Sequence, residues 1–183
     1  MSDVFRTPPP IVKTELVQEF LYDNYDIIAS IEKLSSDRDL NLKVSTDDKS
    51  FVMKIANSSE DKSILQMQND ALRYISSQDE SIEVPIPIKS KHKKDISVIE
   101  CPNSRNYVRL LTYIEGDFLK DVKPNSAMLF SVGEFLGNLD KALIGFEHKS
   151  SSRKFIWDAA QFDILISQLD HSRDDRSLIE YFI

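Results

Sequence analysis

The residue with the clearest capacity for chemistry is Lys54, which sits inside the strand-like run Phe51-Val52-Met53-Lys54-Ile55-Ala56-Asn57. Alternation along a strand puts Phe51, Met53 and Ile55 on one face and Val52, Lys54 and Ala56 on the other. An ammonium between small apolar neighbours needs a counter-charge, and a bound phosphate supplies one. Val52 and Ala56 have the size to lie against a flat purine ring. Taken alone, the same lysine also fits an edge strand facing water, so its partners decide the reading.

Gln68 is the first partner. It is the polar member of a helical stripe formed by Ile64, Gln68, Ala71, Leu72 and Ile75, and its amide oxygen can accept from an ammonium without adding a full charge. A satisfied, half-buried glutamine accounts for the residue equally well. The loop Ser35-Ser36-Asp37-Arg38-Asp39 precedes the Lys54 hairpin and could cover phosphates with hydroxyl and backbone N–H groups. It lacks the glycines that usually let a backbone approach an anion. Leu110-Leu111-Thr112-Tyr113-Ile114-Glu115-Gly116 is a buried strand running into a glycine, and backbone groups at such a strand end can meet an adenine edge.

The elements that must position these residues follow from pattern. A helix is expected from Thr14 to about Tyr22, capped by Thr14, with Leu16, Val17 and Phe20 inward. Tyr25 to Lys33, rich in β-branched residues at Ile27, Ile28 and Ile31, reads as a strand. Asn41–Thr46 and Phe51–Asn57 flank a polar turn at Asp47-Asp48-Lys49-Ser50 as two further strands. Ser58 or Ser59 should cap a helix running to about Ser76. Pro85 and Pro87 then break the pattern before strands at Ile96–Glu100 and Tyr107–Ile114. All four glycines lie at or after Gly116. From there the texture is helical: Leu129, Val132, Leu136, Leu139 and Leu143 form a stripe capped by Ser126, Asp158–Leu169 forms another helix, and a further one starts at Arg176. The expected architecture is α+β, with five strands and one helix followed by helices only. The boundaries are an N-terminal extension over 1–24, a strand-rich lobe over 25–115 and part of a helical lobe over 116–183.

Composition limits the remaining choices. The 183 residues are 41% hydrophobic and 29% charged, ordinary for a globular chain. A net charge of -7, from 23 basic and 30 acidic residues, argues against non-specific binding to nucleic acid or anionic membranes. Cys101 is the single cysteine, and His92, His148 and His171 show no metal-ligand spacing. No signal peptide or membrane-length apolar run is present, so a reducing, cytoplasmic setting is expected.

With these residues assembled, the chain resembles the aminoglycoside phosphotransferase family, which includes choline, homoserine and hydroxylysine kinases. The marks are Leu34 to Lys43, Phe51 to Asn57, Met67-Gln68-Asn69-Asp70-Ala71-Leu72-Arg73, Arg109 to Gly116 and Phe135 to Leu143. It is most like the hydroxylysine-kinase-like branch, where glutamine commonly replaces the helix glutamate. Similar modules precede class III aminotransferases in longer proteins. The resemblance implies a protein-kinase-like N-lobe (a five-stranded antiparallel sheet plus one helix) and the first helices of a helical C-lobe. It implies ATP as cofactor, with Lys54 on the α/β-phosphates, Gln68 as its partner and Ser35, Ser36, Asp37, Arg38 and Asp39 over the phosphates. Val52 and Leu111 would line the adenine pocket, and the backbone of Thr112 and Ile114 would meet its edge.

The family's H-x-D-x-x-x-x-N catalytic segment and metal-binding aspartate have no counterpart here. His171-Ser172-Arg173-Asp174-Asp175 does not supply one, because no asparagine follows Asn138. The chain is therefore expected to be the N-terminal part of a longer kinase that phosphorylates a small-molecule hydroxyl. Its Mg²⁺ ligands would lie beyond Ile183, and these 183 residues would give no turnover alone. The alternative is a non-catalytic kinase-like binding module, or the front module of an aminotransferase fusion.

Overall fold

The computed structural model describes residues 7–152 and 158. The chain divides into two compact units, Met1–His148 and Lys149–Ile183, and every element below lies in the first. The order is α1 (Thr14–Tyr25), β1 (Ser30–Leu34), β2 (Leu40–Ser45), β3 (Ser50–Ile55), α2 (Lys62–Gln78), β4 (Pro87–Ile88), β5 (Ser97–Cys101), β6 (Ser104–Thr112), a 3₁₀ turn at Leu119–Asp121, and α3 (Ser126–Ala142).

The strands form one antiparallel sheet in the order β1-β2-β3-β6-β4, with β5 also paired to β6. Period-two alternation sorts its two faces. Leu40, Leu42 and Val44 of β2, Met53 and Ile55 of β3, Ile99 of β5, and Val108 and Leu110 of β6 pack against Val17, Phe20 and Leu21 of α1. The opposite face carries the rows Asn41–Lys54–Arg109 and Lys43–Val52–Leu111, aligned by the β2–β3 and β3–β6 registers. The register that buries the core thus fixes which polar groups stand beside Lys54.

The α+β architecture is as expected, with differences in detail. The sheet has six strands rather than five, the addition being β4. Pro87 fits there because β4 lies at the sheet edge, where one side of a strand needs no ladder donor. Tyr25 ends α1 instead of beginning a strand. Asp26 takes a left-handed conformation (φ 55°) and its N–H closes onto the Leu21 and Tyr22 carbonyls, so the strand starts only at Ser30. Ile27 packs against the core from the connector, while Ile28 is 83% exposed.

All three helix caps sit one to three residues from their expected positions. Lys13 holds the α1 cap position without a side-chain bond, and Thr14 is the first helical residue. Asp61, not Ser58 or Ser59, caps α2 by accepting from the Ser63 N–H at 2.7 Å. Asn125, not Ser126, caps α3 by accepting from Met128. On α2 the residues most deeply buried include Leu65 and Asn69, both outside the expected stripe.

Only the end of α3 is covered among the described residues. Leu139, Ala142 and Leu143 pack with Ile75, Ile82 and Val84, whereas Leu129 and Leu136 remain 58% and 53% exposed. The helices expected after α3 lie outside the described residues, apart from Asp158. No helix among the described residues is long and apolar enough to cross a membrane.

Candidate functional site

β3 presents Lys54 on the face away from the α1 core, between Asn41 on β2 and Arg109 on β6. Among the described residues no hydrogen bond or ion pair engages its Nζ. Burial lowers the Lys54 pKa below the usual 10.5, and the Arg109 charge lowers it further; Asp39 pulls the other way. Two cations therefore stand on adjacent strands in a partly dry setting, a cost that the Asp39 carboxylate offsets only in part.

Arg109 is the residue that the sequence reading left without a role. It is 3% exposed, and its guanidinium donates to Gln68 Oε1 at 2.6 Å, Asn69 Oδ1 at 3.0 Å and the Leu65 carbonyl at 3.4 Å. All three acceptors are neutral. Burial pulls the Arg109 pKa down, and the nearby charges of Asp39 and Glu60 oppose that pull. Gln68 is thus brought to the site, but its oxygen is held by Arg109 rather than by Lys54. One signal could have pointed to Arg109: a charged residue inside the apolar run Tyr107-Val108-Arg109-Leu110-Leu111, the same signal that singled out Lys54.

The loop between β1 and β2 divides in two. Ser35, Ser36 and Asp37 are exposed, while Arg38 and Asp39 are half-buried and turn inward. Asp39 Oδ1 accepts from the Asn57 N–H at 3.0 Å. Arg38 lies 3.7 Å from the buried carboxylate of Glu60. The Asp39 carboxylate thus acts on both Lys54 and Arg109, and that of Glu60 on Arg109 and Arg38.

Val52 and the buried Leu111 are register partners next to that group. Lys43, opposite Val52 on β2, reaches the turn after β6: Nζ lies 3.4 Å from Glu115 Oε2 and 4.0 Å over the Tyr113 ring. The Thr112 N–H donates to the Ile86 carbonyl and its hydroxyl accepts from the Ile86 N–H. No hydrogen bond engages the Ile114 backbone among the described residues. The apolar pair Val52 and Leu111 thus lies one row along the sheet from the Lys54–Arg109 pair. No group of three or more histidine, cysteine or acidic side chains able to hold a metal occurs among the described residues.

Solved structures of small-molecule kinases share this fold. Amicoumacin kinase hAmiN, solved with AMP-PNP and Ca²⁺, superposes with a TM-score of 0.67 over 90% of this chain and 56% of that one, at 15% identity. A microcompartment-associated aminopropanol kinase gives 0.64 over 80% of this chain and 45% of its own, at 12% identity. Spectinomycin phosphotransferase, solved with ADP and spectinomycin, gives 0.61 over 94% and 54%, at 12% identity.

In sequence the chain is similar to hydroxylysine kinases. The Mus musculus enzyme is 28% identical over 177 residues, covering 85% of this chain and 46% of that protein. The Danio rerio enzyme is 26% identical over 160 residues, covering 82% and 45%. The chain spans about half the length of the curated relatives it matches. No protein-family model matches it. The resemblance read from the motifs is borne out by these relatives.

Proposed function

We propose that this chain forms the nucleotide-holding part of an ATP-dependent phosphotransferase that acts on a hydroxyl of a small, amino-containing molecule. The observation that carries the reading is Lys54, partly buried beside Arg109 with no ion-pair partner among the described residues. A nucleotide polyphosphate is a ligand whose charge would answer the Lys54 ammonium, and the apolar Val52 and Leu111 in the next row of the sheet suit its base. Lys54 would hold the phosphates as a point charge. The Ile114 backbone would meet the adenine edge, and the exposed Ser35, Ser36 and Asp37 would close over the phosphate end. The nature of the acceptor draws support from the relatives, since hydroxylysine and aminopropanol each carry an amine and a hydroxyl.

ATP brings the γ-phosphoryl group, and a divalent cation, Mg²⁺ in this reading, would neutralise charge on the phosphates. No residue here is assigned to the metal, and no acceptor base is assigned either. The H-x-D-x-x-x-x-N segment is absent from the sequence. Positioning of nucleophile and metal makes up most of phosphoryl-transfer catalysis, so these 183 residues are proposed to bind nucleotide weakly and to give no turnover.

Calorimetric titration with Mg·ATP tests the reading. Wild-type protein should bind. Lys54→Ala should bind about ten- to hundredfold more weakly, the loss of one charge-assisted contact to phosphate. Equal affinity of the two proteins, or no binding by either, would refute it.

A further inference from the structure

We propose that Arg109 is the positioning residue that docks α2 on the sheet, the task a strand lysine performs in kinase-like folds. Lys54 is then free of any structural duty toward the helix. Only that last clause, on what Lys54 is free to do, rests on the nucleotide-binding reading.

The three acceptors of the Arg109 guanidinium, the Leu65 carbonyl, Gln68 Oε1 and Asn69 Oδ1, lie at positions i, i+3 and i+4 of α2. They share one helical face, directly over β6. A planar fork of five donors can satisfy all three at once, and a lysine ammonium cannot match that geometry. The contact is dry: Arg109 is 3% exposed and Asn69 fully buried. Removing the donors would strand the buried Asn69 carboxamide oxygen and leave the half-buried one of Gln68 without its partner, which is more damaging than losing the bonds themselves. Lys54 contributes nothing comparable, since no hydrogen bond links it to α2 among the described residues.

The usual arrangement joins helix docking and phosphate binding in one lysine–glutamate pair. Here the two tasks fall on cross-strand neighbours, Lys54 and Arg109. The neutral Gln68 fits that division. A glutamate at this position would be shared by both cations and would draw Lys54 back toward the helix.

Amide hydrogen exchange of the unliganded 183-residue chain tests the proposal. Arg109→Met keeps the apolar stem and removes the fork. It should speed exchange across residues 62–78 about ten- to hundredfold, with the β2–β3 hairpin changed far less. Arg109→Lys should recover only part of the protection, and Lys54→Ala should leave α2 as in wild type. Gln68→Glu should slow α2 exchange when Arg109 is present and fail to do so in the Arg109→Met background. Full protection of α2 in Arg109→Met would overturn the proposal, because it would reduce Arg109 to packing. Loosening of α2 by Lys54→Ala to the same extent would overturn it too.

Should Arg109→Met not fold, the Arg109→Lys and Gln68→Glu pair still decides the matter: coupling between the two positions supports the clamp, and strict additivity overturns it. Every readout is taken without nucleotide. A failure to bind ATP would therefore sink the proposed function and leave this result standing.

Discussion

Leu110→Ala is expected to lower the unfolding free energy by about 2–5 kcal/mol, read as a fall in denaturant midpoint at unchanged slope. Leu110 is fully buried. It pairs with Met53 on one side and Ile88 on the other, so its side chain lies where three strands and α1 meet. Truncation removes transfer energy and leaves a cavity that a sheet centre cannot collapse to fill. The neighbouring positions point the other way: Arg109 and Leu111 face the candidate site. The loss should therefore appear in stability, while nucleotide affinity changes little wherever the variant remains folded. A midpoint within experimental error of wild type would show that the β6 register is misassigned.

Lys54→Met is expected to act with the opposite sign on the unliganded protein. Burial and Arg109 together lower the Lys54 pKa from 10.5, with Asp39 opposing. For an amine, a lowered pKa means that folding works against the charged form. The cost is fully present below the folded-state pKa, and it disappears as pH rises toward the free-lysine value of 10.5. Methionine keeps the length of the side chain and discards the charge, so the variant should unfold at a higher temperature than wild type at pH 7. That advantage should shrink as pH rises through the window between the folded-state pKa and 10.5. A binding site that carries strain when empty behaves in this way: the residue that serves the ligand costs stability without it. A Lys54→Met midpoint below wild type at pH 7 would mean that Lys54 is a satisfied structural residue.

The parts of this fold that were legible in the sequence are those set by short-range periodicity. The β2–β3 hairpin could be read because Leu40, Leu42 and Val44 alternate with Asn41, Lys43 and Ser45, and Met53 and Ile55 alternate with Val52 and Lys54. The same alternation placed Lys54 opposite the core face. What local pattern does not carry is the identity of cross-strand neighbours. Arg109 stands beside Lys54 only because β6 pairs with β3 after an intervening helix and two strands. Gln68 could have answered to either cation, and spacing along α2 does not choose between them.

The caps were misplaced for a related reason. Ser58 and Ser59 are good capping residues by type, but the Asn57 carboxamide draws them into a turn by accepting from the Ser59 N–H, so Asp61 takes the role. Tyr25 read as a strand residue because the run after it is β-branched. Its ring instead packs 6.4 Å from that of Phe20, which carries the helix one turn further.

Whether Lys54 is kept for a polyphosphate is decided by thermal unfolding of wild type and Lys54→Met at pH 7, each with and without Mg·ATP. Nucleotide should raise the wild-type midpoint and move that of Lys54→Met far less. An equal rise in both proteins, or no rise in wild type, would contradict that role.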